Sequence, residues 1–197
     1  MNPEVYPIDL TVDRKVVSDI LHGNILDSGI LHTILFYRVF GNIKPKEVDL
    51  LDITYSAIDD PEIEKVVDDR VDQFMRILET QGNQKGQIAV IFHEKRTKKA
   101  WFSKSEEEIC WEQWPVTINT VICRTENETK RIRKDMDDQL ATCLLDIIRF
   151  VNDKKDHIPP ITTSDINPFP FQIVIPDTTD TWGTVLKRML TDPSQQV

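Results

Sequence analysis

One apolar stripe runs the length of the longest helical pattern in this chain, from roughly Glu126 to Asp153. Ile132, Met136, Leu140, Cys143 with Leu144, Ile147 and Val151 recur along it at helical spacing. A helix with one apolar side has to bury that side against a second layer. Ile148 and Phe150 widen the stripe near its end, and Pro159-Pro160 closes the helix off. A second amphipathic helix starts at Asp60-Pro61, with Asp as N-cap and proline at the first helical position. Ile63, Val67, Val71, Phe74 and Leu78 form its apolar side, opposite Glu64, Lys65, Asp68, Asp69 and Arg76; Gly82 stands just past its end. A third helical pattern begins at about Asp13 and breaks near Gly23-Asn24 and Ser28-Gly29. It resumes as Ile30 to Tyr37, ending before Gly41. The apolar content of that last stretch is nearly all-round, which predicts a central, buried helix.

Strand patterns fill the gaps. Val5 to Val12 reads as an opening strand confined by Pro7 to a sheet edge. Val48 to Ile58 is strand-like, Ile88 to Phe92 is a short apolar strand, and Trp114 to Cys123 is β-rich. Phe169 to Ile175, bounded by prolines, is a last strand before a short helical tail from about Trp182 to Leu190. The order β-α-β-α-β-β-α-β-α predicts an α+β fold, a mainly antiparallel sheet with helices packed on one face. At 197 residues the chain has the length of a single domain, 1–197.

Between Phe92 and Trp114 the sequence predicts a charged loop. Lys95, Arg96, Lys98 and Lys99 stand on one side and Glu106-Glu107-Glu108 on the other, with Trp101-Phe102 between them. Solvated loops do not ordinarily carry two large aromatics side by side. Exposed, such a pair marks a contact site, because Trp and Phe dominate interface energetics. Folded back, it would anchor the loop on the core. Local sequence leaves both readings open.

Composition narrows the function class. A net charge of −9 argues against nucleic-acid binding, which needs a basic face to neutralise phosphates. No apolar run approaches the roughly 20 residues a membrane span requires, and the start Met1-Asn2-Pro3-Glu4 shows no signal-peptide pattern. The three cysteines, Cys110, Cys123 and Cys143, form no Cys-x-x-Cys pair and suit buried thiols in a reducing, cytoplasmic compartment. The six glycines are scattered, so no phosphate-cradling loop exists. His22, His32, His93 and His157 have no companion at metal-ligand spacing; His32, on the central helix, reads as a hydrogen-bonded structural histidine. Cys110 beside Trp111 reads as core. Catalytic, metal-binding and cofactor-binding residues are therefore not expected, and binding is the better class than catalysis.

Several segments, in order, resemble a known family. They are Ile30-Leu31-His32-Thr33-Ile34-Leu35, Glu47-Val48-Asp49 running into Asp52-Ile53-Thr54-Tyr55, and Trp101-Phe102 followed by Ile109-Cys110-Trp111-Glu112-Gln113-Trp114. Gly183-Thr184 leading into Lys187-Arg188-Met189-Leu190 completes the set. The chain resembles the autophagy-related protein 101 family, the small HORMA-domain subunits of the kinase complex that initiates autophagy. The chain departs from that family at Leu21 to Ser28, an apparent insertion, and in the short runs Phe40 to Glu47 and Asp156 to Pro168. Some members also place a proline between the Trp and the Phe that are adjacent here.

The resemblance implies a HORMA fold without enzymatic activity, paired with the HORMA domain of autophagy-related protein 13 and stabilising it. It implies that Trp101 and Phe102 form a finger that recruits downstream autophagy factors at the autophagosome assembly site. It also places the outer face of the Glu126–Asp153 helix, at Ile148 and Phe150, in the heterodimer. Two other readings remain: a checkpoint-like HORMA regulator clasping a peptide, and a membrane contact in which the basic run meets anionic lipid.

Overall fold

Ile88, Ala89, Val90, Ile91 and Phe92 form an unbroken apolar run, and a run that is apolar on both faces is a strand with neighbours above and below. In the computed structural model all five are fully buried, and the main sheet is built around them. The structure describes residues 3–13, 26–50, 53–80, 85–100, 103–161 and 167–176. Its elements are β1 (Glu4–Val5), β2 (Ile8–Asp13), α1 (Leu26–Arg38), β3 (Pro45–Leu50), β4 (Ile53–Ile58), α2 (Pro61–Thr80), β5 (Lys85–Ala100), β6 (Ser103–Val121), α3 (Glu126–Asp153) and β7 (Phe171–Val174).

The fold is α+β, and its architecture is compatible with a HORMA fold. The main sheet is mixed. β5 pairs antiparallel with β6 on one side and β7 on the other, while β1 and β2 lie parallel to β6 at the far edge. Pro7 falls between β1 and β2, where its missing N–H interrupts the ladder. β3 and β4 form a separate antiparallel hairpin against α1.

Helices pack onto one face of the sheet. The α2 stripe of Val67, Val71, Phe74 and Leu78 is buried, each side chain contributing on the order of 1.5–3 kcal/mol. It approaches β5 so closely at Gly86 that an added Cβ would stand 2.8 Å from Phe74 and 2.9 Å from Leu78. Asp60 caps α2 as expected, its Oδ1 accepting from Glu62 N at 2.8 Å. Helix α3 keeps the predicted boundaries and buries Met136, Leu140, Cys143, Leu144, Ile147 and Val151. Thr125 and Glu128 close a capping box at its start. Helix α1 is central, with Ile30, Leu31, Ile34 and Leu35 fully buried.

Three expectations need correcting. Asp13 ends strand β2 rather than starting a helix. Val48 to Ile58 is two strands, with Leu50 and Ile53 paired and Thr54 Oγ1 donating to Asp49 Oδ1 across the hairpin at 2.7 Å. The charged loop is two long strands, in which part of the basic run faces part of the acidic run: Lys95 pairs with Glu108 and Arg96 with Glu107, while Lys98 and Lys99 pair with Ser105 and Lys104. Opposite charges directly across an antiparallel ladder stabilise it, which a reading along one strand does not register. The expected tail helix at 182–190 and the residues Trp101 and Phe102 lie outside the described residues.

Candidate protein-docking sites

The β5–β6 ribbon ends on either side of Trp101-Phe102 in the sequence. Ala100 and Ser103 are the last paired residues, so the connecting sequence is Trp101-Phe102 and nothing else. Pairing with β7 stops at Phe92 and with β1 begins at Glu112. Beyond those points, among the described strands, β5 and β6 pair only with each other. The eight residues from His93 to Ala100, at roughly 3.3 Å each, carry the ribbon about 26 Å further.

At the root of that overhang sits a β-bulge. Phe92 pairs with Glu112 but His93 pairs with Cys110, leaving Trp111 as the extra residue. Alternation would otherwise send Trp111 and Glu112 to opposite faces. The bulge turns both toward the helices. Trp111 packs on Phe92 and Phe169 at ring-centroid distances of 5.7 and 5.1 Å. Cys110 goes to the other face with Ala89 and Ile91, a core position as its sequence suggested.

Glu112, with no exposed surface, is the centre of a polar cluster. Arg38 Nε donates to both of its carboxylate oxygens, at 2.8 and 3.0 Å. Trp114 Nε1 donates to Oε1 at 2.6 Å, and His157 Nε2 lies 2.6 Å from Oε2. The remaining Arg38 nitrogens donate to the carbonyls of Val151 and Lys154 at 3.4 and 3.2 Å. Those carbonyls belong to the end of α3, where helix geometry leaves acceptors unpaired and a cation is favourable. Tyr6 closes the cluster, its ring 4.7 Å from Trp114 and 5.0 Å from Phe150. Burial, reinforced by the Glu112 charge, pushes the Tyr6 hydroxyl up to about 12. This is a clamp joining α1, β6 and the end of α3. Its sequence signal was a charged residue within each of two apolar patterns, Arg38 closing α1 and Glu112 between Trp111 and Trp114.

The residues expected at a heterodimer face diverge. Two positions apart on a helix are about 200° apart around its axis. Phe150 is 38% exposed and leans over Tyr6, whereas Ile148 is half-buried on the other flank of the α3 stripe. The thiols are shielded: burial raises Cys110, and raises Cys143 to about 12. His32 is buried as expected, but its Nδ1 has no hydrogen-bond partner among the described residues, and burial lowers its pKa. Among the described residues no group of three or more His, Cys, Asp or Glu could hold a metal ion, and no helix is long and apolar enough to cross a membrane.

Comparison with known proteins shows the family of this chain. Residues 9–165 match the model of a family described as Autophagy-related protein 101. The Autophagy-related protein 101 of Arabidopsis thaliana is 36% identical over 202 residues, covering 91% of this chain and 90% of that protein. Its counterpart in Schizosaccharomyces pombe is 27% identical, with 93% and 92% covered. The human one is 25% identical over 224 residues, with 98% of both covered. A match over most of the chain at this identity makes the chain a member of the Autophagy-related protein 101 family.

Proposed function

We propose that the protein is a non-enzymatic adaptor of the autophagy-initiation complex, one HORMA domain that recruits downstream factors through Trp101 and Phe102. The observation that carries this reading is the ribbon. From His93 onward β5 and β6 stay paired as far as Ala100 and Ser103, the residues that flank Trp101-Phe102 in sequence, and this supports the reading. Lys95 and Arg96 pair with Glu108 and Glu107 across the ladder, and two adjacent large aromatics are the residue types that anchor protein contacts, so a protein target is favoured over anionic membrane. The site of action is the cytoplasmic autophagosome assembly site.

The test is Trp101→Ala with Phe102→Ala. Each ring buries on the order of 150–250 Å² on docking, roughly 4–6 kcal/mol of gross transfer energy. After ordering costs, a net loss of about 2–4 kcal/mol per anchor is expected. The double variant should melt near wild type and lose its downstream partners in pull-downs. A variant that unfolds would instead make the pair a core anchor. The protein also pairs with the HORMA domain of autophagy-related protein 13 through α3, at Ile148 or Phe150. Because those two side chains diverge, Ile148→Asp and Phe150→Asp should affect sedimentation of the co-expressed pair unequally.

A further inference from the structure

A groove of about 430 Å³ lies between strand β2 and helix α3, away from the ribbon tip. Its apolar floor is Ile8, Ile147 and Phe150, and its walls carry three carboxylates, Asp9, Asp138 and Asp146. Among the described residues no lysine or arginine lines it. The basic residue alongside is Arg149, whose Nη1 lies 2.9 Å from Asp146 Oδ1.

We propose that this groove docks a basic amphipathic segment of a partner protein, with apolar side chains over the floor and Lys or Arg side chains between the carboxylates. Charge complementarity selects the occupant. Asp9 and Asp138 around an apolar floor, with Asp146 paired to Arg149, repel the acidic surface this chain itself presents at a net charge of −9. They attract a cationic segment and discriminate against an anionic one. The mode is side-chain docking, not strand addition: the backbone N–H of Thr11 on β2 is already taken by Gln139 Oε1 of α3 at 3.0 Å. That leaves the helix-in-groove mode, in which residues three and four apart supply the anchors.

The experiment uses the full chain and a fluorescein-labelled amphipathic helix of about 14 residues, leucine on one face and lysine on the other. Its twin carries glutamate for every lysine. Fluorescence anisotropy should show the lysine peptide binding and the glutamate peptide failing to bind. Asp138→Lys with Asp146→Lys should weaken binding about tenfold or more, as should Thr142→Arg, which sets a long cation across the groove. Asp69→Lys with Asp72→Lys on α2 makes the same net-charge change elsewhere and should leave affinity within about threefold. Equal losses in both pairs would mean unspecific attraction and overturn the proposal. So would a wild-type dimer in sedimentation that Thr142→Arg dissolves, since the occupant would then be a second copy of this chain. Phe150 belongs to this floor and also to the proposed pairing face, but no HORMA partner enters the assay, so its result is read without that pairing.

Discussion

Glu112 shows how much one side chain can hold. A carboxylate without solvent is costly unless every oxygen is occupied, and here Arg38, Trp114 and His157 occupy both. Arg38→Met leaves that charge without its cation and should cost about 3–5 kcal/mol in denaturant unfolding. Adding Glu112→Gln removes the stranded charge and should recover part of the loss, which a double-mutant cycle reads directly. His93 gives a pH dependence. Burial pushes it down to about 4 from an ordinary 6.5. Between those values the unfolded chain binds a proton that the folded chain refuses. Stability is therefore full above pH 6.5 and falls as pH drops toward 4, by on the order of 3 kcal/mol in total. Melting temperatures from pH 7.5 to 4.5 should trace that decline, and His93→Gln should flatten it.

Among the elements, the contact between α2 and β5 is the tightest and the least tolerant. Gly86→Ala would place a methyl group against Phe74 and Leu78, both buried and unable to swing out. Overpacking of this kind should destabilise by about 1–3 kcal/mol, whereas the same change on an open strand would be mild or favourable. The start of α3 depends on its capping box. Glu128 accepts from the backbone N–H groups of Arg124 and Thr125, and those bonds lower its pKa. Thr125→Ala removes the reciprocal bond to Glu128 N and should cost about 1 kcal/mol. Thermal melts of the two variants would rank Gly86→Ala as the more damaging. The β5–β6 ribbon draws its stability differently, from opposite charges facing across the ladder, so it should loosen first as salt rises. Hydrogen exchange at Lys95 to Thr97 would register this.

For the molecule as a whole, the proposed pairing makes stability depend on the partner. A partner that binds only the folded state adds about 2.7 kcal/mol when present at a hundredfold excess over Kd. The melting temperature should rise with added HORMA partner, and an unchanged melt at saturation would rule the coupling out. Trp101→Ala with Phe102→Ala should keep that rise, because the proposed recruitment and the proposed pairing use different residues.

Helix α3 was legible residue by residue because its stripe and its ends are local signals, repeating within a turn. The Asp60 cap on α2 was equally local, and together these patterns determined the α+β class. Trp101-Phe102 stood out in sequence for a chemical reason, two large aromatics between charged runs. Only the tertiary structure decided what the charged runs do. Lys95 and Glu108 are 13 positions apart, and nothing in either stretch states that they will face each other. The Trp111 bulge is also a property of register between two strands, invisible along one of them. Glu112 meets Arg38 across 74 positions and His157 across 45. Periodicity records which side of an element is buried, while a partner that distant is chosen by packing, and packing belongs to the folded chain.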